Sequence, residues 1–231
     1  MTKQNNMIFI VSKRNIWTDS LCSMLTNSGI NFLFYSDDSY KDDLIKKNPS
    51  WVFFFHWSKI VEKDIFSNYR CVVFHTANLP NYRGGSPLQN QIFGGVHSSM
   101  VNAIQMTEQI DSGDIYCSKS ISLHGSLTDI WMQISKVAHQ LILICIKNNP
   151  TPKAQIGTPT TLKRLKGSKL LEVMNNESDI CQVYDHIRAL DAEGYNEACI
   201  KIGNFMLSFS RAKLVSGNLM ISDVKIRKEI E

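Results

Sequence analysis

At 231 residues the chain has room for one domain and a small appendage, and with 43% hydrophobic and 20% charged residues it is no disordered chain. Its 25 basic against 21 acidic residues leave a net charge of +4, too small and too scattered to announce a nucleic-acid binder, although it suits an anionic substrate. The longest apolar runs, such as Leu141 to Ile146, fall far short of the roughly 18 residues a membrane span requires. No charged–apolar–small signal pattern opens the chain. The six cysteines at 22, 71, 117, 145, 181 and 199 form no CxxC pair, which argues against structural zinc or a disulfide framework and for a reducing cytoplasm.

In chain order, Met7 to Val11 reads as a buried strand, followed by helical spacing at Ile16, Leu21, Met24 and Leu25. Asn31 to Tyr35, Trp51 to Phe55 and Cys71 to His75 are further strand-length apolar runs. Their lack of alternation marks strands buried on both faces, as in a parallel sheet clothed by helices. Ser86-Pro87 starts a helix that runs to Gly94-Gly95. Ala103 to Met106 and Ile115 to Leu123 are strands flanking a turn at Asp111 to Asp114. Ser126 with Asp129 predicts a capping box, opening a long amphipathic helix from Leu127 through Ile144 to about Pro150.

Thr151 to Gly167 reads as a linker. A helix follows over Asp179 to Leu190, then short alternating segments at Cys199 to Ile202, Phe205 to Phe209 and Leu219 to Ile226. The fold class expected is α/β: a doubly wound, Rossmann-like parallel sheet with a small C-terminal helix-plus-antiparallel-strand subdomain. Residues 1–150 form the expected catalytic domain, and 151–231 the linker and subdomain.

The most constrained stretch is HTANLPNYRGGSP, which begins at His75 at a strand end, where doubly wound sheets place their sites. His75, Leu79-Pro80, Tyr82-Arg83-Gly84 and Ser86-Pro87, with Asp111-Ser112-Gly113-Asp114-Ile115 further on, spell HxxxLPxYRGxSP followed by DxGxI. This pattern resembles the 10-formyltetrahydrofolate-dependent formyltransferase family. With His56-Trp57-Ser58 and the segment Ile187 to Tyr195, the chain looks most like the sugar N-formyltransferases acting on 4-amino-4,6-dideoxy sugars, as in the pseudaminic-acid pathway.

The resemblance implies a formyl group moved from 10-formyltetrahydrofolate to the amine of a dTDP-, UDP- or GDP-linked amino sugar, a surface-polysaccharide precursor. It implies no metal, no nucleic-acid or membrane partner, and a possible homodimer. In it, His75 takes the amine proton and supports the oxyanion while Asp111 orients the ring. His56, Trp57, Ser58 and Asp114 would bind the co-substrate; Tyr82, Arg83, Gly84, Gly85, Ser86, Lys163 and Arg164 would bind the substrate. Lys163, Arg164 and Lys166 are the one dense basic cluster expected near the site.

One departure is visible. The family carries Asn-x-His, the amide serving the oxyanion, but Val73 stands at that place. Asn78 is the nearest amide in sequence and is the expected substitute, with His75 and backbone N–H groups as the alternative. Trp131 reads as core, while Lys13, Arg14, Tyr195 and Arg188 fit either a ligand or a packing role. Two rivals remain: methionyl-tRNA formyltransferase, which normally carries a fuller C-terminal domain on a longer chain, and a non-catalytic folate or sugar-nucleotide binding relative.

Overall fold

The computed structural model describes residues 7–165 and 179–229. It divides into two compact units, one of residues 1–84, 99–121 and 132–161, the other of residues 85–98, 122–131 and 162–231.

The first unit is built on a six-stranded sheet. Its strands are β1 (Ile8–Val11), β2 (Phe32–Tyr35), β3 (Trp51–Phe54), β4 (Cys71–Thr76), β6 (Ser98–Gln105) and β7 (Ile115–Ser122), in the order β2-β1-β3-β4-β6-β7. β2, β1, β3 and β4 pair in parallel, whereas β6 runs antiparallel to β4 with His75 opposite Asn102. The sheet is therefore mixed, parallel in its first four strands.

Side chains alternate between the two faces of each strand, and both faces are covered. Phe9, Val11, Val52, Phe54 and Cys71 form a buried cluster with Tyr40 and Leu44. Those two come from helix α2 (Tyr40–Lys47), which the hydrophobic spacing does not announce. On the other face Trp51, Phe53 and Phe74 stack in a row, and Phe55 meets Phe74 edge-on. Helix α1 (Ile16–Asn27) begins at Asn15, whose side chain accepts from the Thr18 N–H. A second helix absent from the sequence reading, α3 (Lys63–Asn68), precedes β4 and buries no residue.

The segment read as a linker is largely ordered against the first unit. Lys153 exchanges both backbone hydrogen bonds with Ile115. Strand β8 (Thr161–Leu162) follows, beside the two-residue strand β5 (Arg83–Gly84). The end of that linker, from residue 166, lies outside the described residues.

The second unit contains helices α4 (Pro87–Phe93) and α6 (Ile180–Arg188), the start of α5 (Leu127–Asn148), and a three-stranded antiparallel sheet. That sheet comprises β9 (Ala198–Ile202), β10 (Phe205–Ser216) and β11 (Leu219–Lys228). α6 carries a full capping box between Asp179 and Gln182. Its Val183 and Ile187, with Leu190 just beyond its end, pack with Ala198, Ile200 and Phe209. The capping box at the head of α5 is present, with Ser126 and Asp129 bonded reciprocally. Ser86 differs from its predicted role. It sits at the N-cap of α4 with φ 51° and makes no cap bond through its side chain; the hydroxyl accepts from the Leu165 N–H instead.

Candidate active site

β4 delivers His75 to the carboxyl end of the sheet, where its side chain is 6% exposed. The ring Nδ1 lies 3.3 Å from Asp111 Oδ2, and Nε2 lies 2.9 Å from the carbonyl oxygen of Tyr82. Both partners are acceptors, so a ring bearing protons on both nitrogens satisfies both, while a neutral ring donates to only one. The same Asp111 Oδ2 also accepts the Gly84 N–H at 2.9 Å. One carboxylate oxygen thus ties the histidine to the YRG loop.

The turn that presents Asp111 depends on Gly113. A Cβ built there would stand 1.8 Å from the Gln105 carbonyl oxygen, and next to it the Gln105 N–H donates to the Asp114 carbonyl at 2.8 Å. The glycine of DxGxI is thus required by close backbone approach. Asp111 itself adopts φ 54° and Tyr82 φ 60°, conformations that carry strain for residues with a Cβ. Tyr82 is held there by its N–H to Thr160 Oγ1 at 2.9 Å. Arg83 donates through Nε and Nη2 to Gln155 Oε1, at 3.1 and 2.7 Å.

Three residues of this unit take part without having been singled out in the sequence. Asn102, 2% exposed, donates to the carbonyls of His75 and Ala77 and accepts from Ser118 Oγ, which fixes the end of β4. A lone amide within an apolar strand was the available signal. Gln155 and Thr160 lie in the stretch read as a linker and gave none.

The other expected residues are dispersed. Val73 pairs with Ile104 and packs against the apolar cluster beneath the sheet. Asn78 is exposed in the turn after β4, where its carbonyl accepts the Asn81 N–H. His56 has φ 48° and accepts from Asn15 Nδ2 at 3.2 Å. Burial, aided by the nearby Lys13 charge, pushes its pKa down to about 4. Trp57 packs edge-on to Tyr40 with Lys59 over its ring, and Ser58 is exposed. Asp114 contributes its backbone carbonyl to the turn.

In the second unit, a Cβ on Gly85 would meet the Arg164 backbone at 2.5 Å, so the loop at Gly85-Ser86 and the chain at Arg164-Leu165 touch backbone to backbone. Lys163 and Arg164 are exposed, and Lys166 lies outside the described residues. Arg188, 4% exposed, spends its guanidinium on Asp185 and on the carbonyls of Leu123 and Gly125. It is a packing residue. Trp131 donates to the hydroxyl of the half-buried Tyr195 at 3.0 Å, and desolvation raises the Tyr195 pKa.

Two family models match this chain, Formyl transferase over residues 34–145 and Methionyl-tRNA formyltransferase, C-terminal domain, over residues 168–227. A curated methionyl-tRNA formyltransferase of Caldicellulosiruptor saccharolyticus is 26% identical over 160 residues, covering 67% of this chain and 51% of its own. The chain spans about half to three fifths of the length of such curated relatives. A solved methionyl-tRNA formyltransferase from Clostridium thermocellum is 33% identical, with TM-score 0.87 over 96% of this chain and 99% of its own. Two more distant structures share the fold at 15% identity. One is HypX from Aquifex aeolicus in complex with tetrahydrofolic acid (TM-score 0.75, 89% of this chain and 37% of its own). The other is a sugar N-formyltransferase from Shewanella (TM-score 0.65, 92% of this chain and 100% of its own).

These matches overturn the expected acceptor. Sugar enzymes resemble the chain in fold alone, so the nucleotide-linked amino sugar and the exclusion of a nucleic-acid partner do not stand. The motif around His75 carries the family resemblance and does not specify the acceptor, and a net charge summed over the chain is silent on where cations lie. What the matches establish, through a 33%-identical structure covered almost end to end, is that this chain belongs to the formyl transferase family.

Proposed function

We propose that the protein transfers a formyl group from 10-formyltetrahydrofolate to the amino group of methionyl-tRNA. The observation that carries this reading is the similarity to the Clostridium thermocellum enzyme over nearly the whole of both chains. The match of residues 168–227 to a methionyl-tRNA formyltransferase C-terminal domain supports it.

His75 and Asp111 are suited to the chemistry. The acceptor amine attacks the formyl carbon, and the new C–N bond converts the carbonyl to an oxyanion. With its own proton on Nδ1 toward Asp111, His75 takes the proton released by the amine at Nε2, which requires the amine to displace the Tyr82 carbonyl that stands 2.9 Å from that nitrogen. The resulting imidazolium has an acceptor for each N–H, Asp111 on one side and the Tyr82 carbonyl on the other. It returns the proton to the folate nitrogen as the oxyanion re-forms the carbonyl and the bond between the formyl carbon and that nitrogen breaks, giving formamide product and tetrahydrofolate. Val73 cannot donate to the oxyanion, and both His75 N–H groups are directed at Asp111 and the Tyr82 carbonyl, so the ring stabilises the oxyanion through its charge, with Asn78 the nearest side-chain amide in sequence.

The test is single-turnover formylation of methionyl-tRNA by wild type and by His75→Ala. Loss of a well-placed general base costs roughly a hundredfold or more. A folded His75→Ala variant working at the wild-type rate removes His75 from the mechanism.

A further inference from the structure

Gln155 makes four hydrogen bonds with one amide. Its Oε1 accepts from Arg83 Nε and Nη2, and its Nε2 donates to the carbonyl of Asp111 at 2.9 Å and of Gly113 at 2.8 Å. Two N–H partners on one end and two carbonyls on the other leave a single sensible orientation for the amide. The two-way backbone bridge between Lys153 and Ile115 anchors the chain two residues before it.

The Asp111 turn is therefore gripped from both sides, by Gln105 of β6 and by Gln155. Arg83 is oriented by a neutral oxygen, and among the described residues no carboxylate pairs with it. A carboxylate partner would have neutralised the guanidinium; an amide fixes its plane and leaves the full charge for something else.

On the formyl-transfer reading, we infer that Gln155 is a positioning residue with two tasks: it sets the Asp111 turn against His75, and it holds Arg83 as a pre-aimed cation for an oxyanion of a reactant. Two reactants can supply that oxyanion, a phosphodiester of the tRNA acceptor end or a carboxylate of the folate glutamate. Phosphate-sized anions bound by an oriented guanidinium gain most when the fork is already placed.

The experiment compares Gln155→Ala, Gln155→Met, Gln155→Glu, Arg83→Ala and the Arg83→Ala/Gln155→Ala double variant in steady-state formylation, with circular dichroism as a fold control. Gln155→Met keeps the volume should the alanine variant fail to fold. The alanine or methionine change is expected to lower kcat about tenfold or more, on the order of one lost orienting contact near a general base. The same change raises one KM, the acceptor's for a phosphodiester or the donor's for a carboxylate. Gln155→Glu, which neutralises Arg83 and faces two carbonyls, raises that KM at least as much. In the double variant the KM equals that of Arg83→Ala while kcat stays at the Gln155→Ala level, because orienting an absent arginine has no effect.

Fully additive KM effects, or unchanged kcat and KM, overturn the assignment. A readout independent of turnover is the imidazole N–H proton signal of His75 by NMR, identified by its loss in His75→Ala. It moves or broadens in Gln155→Met if Gln155 positions the Asp111 turn, and an unchanged signal refutes that role. If the NMR change is seen while wild type formylates no acceptor, the positioning stands and the formyl-transfer reading falls.

Discussion

Asp111→Asn tests the geometry at its tightest point. The single oxygen Oδ2 accepts from both His75 and Gly84, so an asparagine turned with its amide oxygen in that place keeps both contacts. The reverse rotamer sets an NH2 against the Gly84 N–H and is excluded. The substitution therefore preserves the ring's tautomer and removes only the charge. At 3.3 Å, with Asp111 and His75 12% and 6% exposed, a unit pair in an effective dielectric near 20 attracts by about 5 kcal/mol. The amide dipole retains part of this, leaving a loss of about 3–4 kcal/mol in the step that charges His75, or 10²–10³-fold in kcat. Asp111→Ala also strands the Gly84 N–H, which adds about 1–3 kcal/mol, so alanine is expected to be worse than asparagine by a further tenfold or so. Single-turnover formyl transfer at saturating substrates measures both. A kcat for Asp111→Asn within threefold of wild type, or equal losses for Asn and Ala, means that the Asp111 charge does not support the charged His75 ring.

Other outcomes follow from the same geometry. Gly113→Ala must push the turn off Gln105, since its Cβ would lie 1.8 Å from a backbone oxygen; a destabilisation of about 3 kcal/mol or more appears as a fall in Tm, with formyl transfer reduced in the folded fraction. His56 has its pKa lowered from 6.5 to about 4, so between those values the unfolded chain binds a proton that the folded one refuses. Stability is thus complete above about pH 6.5 and declines as pH falls toward 4, by up to about 3 kcal/mol from this residue; urea melts of His56→Gln should show a shallower decline over that window. Arg188→Ala leaves Asp185 and two carbonyls without their donor and should lose about 3–5 kcal/mol of stability by denaturant titration. Asn78→Ala lowers kcat more than it raises any KM if Asn78 donates to the oxyanion; equal kcat leaves His75 as the stabiliser.

The strands of the first unit were legible because burial on both faces leaves continuous apolar runs, and Ile8 to Val11 and Trp51 to Phe54 are all buried. α2 and α3 were not. α2 buries only Tyr40 and Leu44 among charged residues, and α3 buries nothing. At the site, His75, Asp111 and Gly113 could be found through the family motif they spell, and for Gly113 the close approach of the Gln105 carbonyl explains the residue type. Gln155 acts on Arg83 and Gly113, 72 and 42 residues away, and a pairing at that range leaves no trace in one sequence. Val73 was legible as a departure, and its packing against the apolar cluster accounts for the residue type. The acceptor was misread because the constrained loop carries the family resemblance and nothing in it specifies the acceptor.

The most direct measurement incubates the purified protein with 10-formyltetrahydrofolate and charged methionyl-tRNA, then hydrolyses the aminoacyl ester and reads the released amino acid by mass. N-formylmethionine is expected from wild type and about a hundredfold less from His75→Ala in the same time. Unmodified methionine from wild type at enzyme equal to tRNA, with the protein folded and the donor intact, means that methionyl-tRNA is not the acceptor.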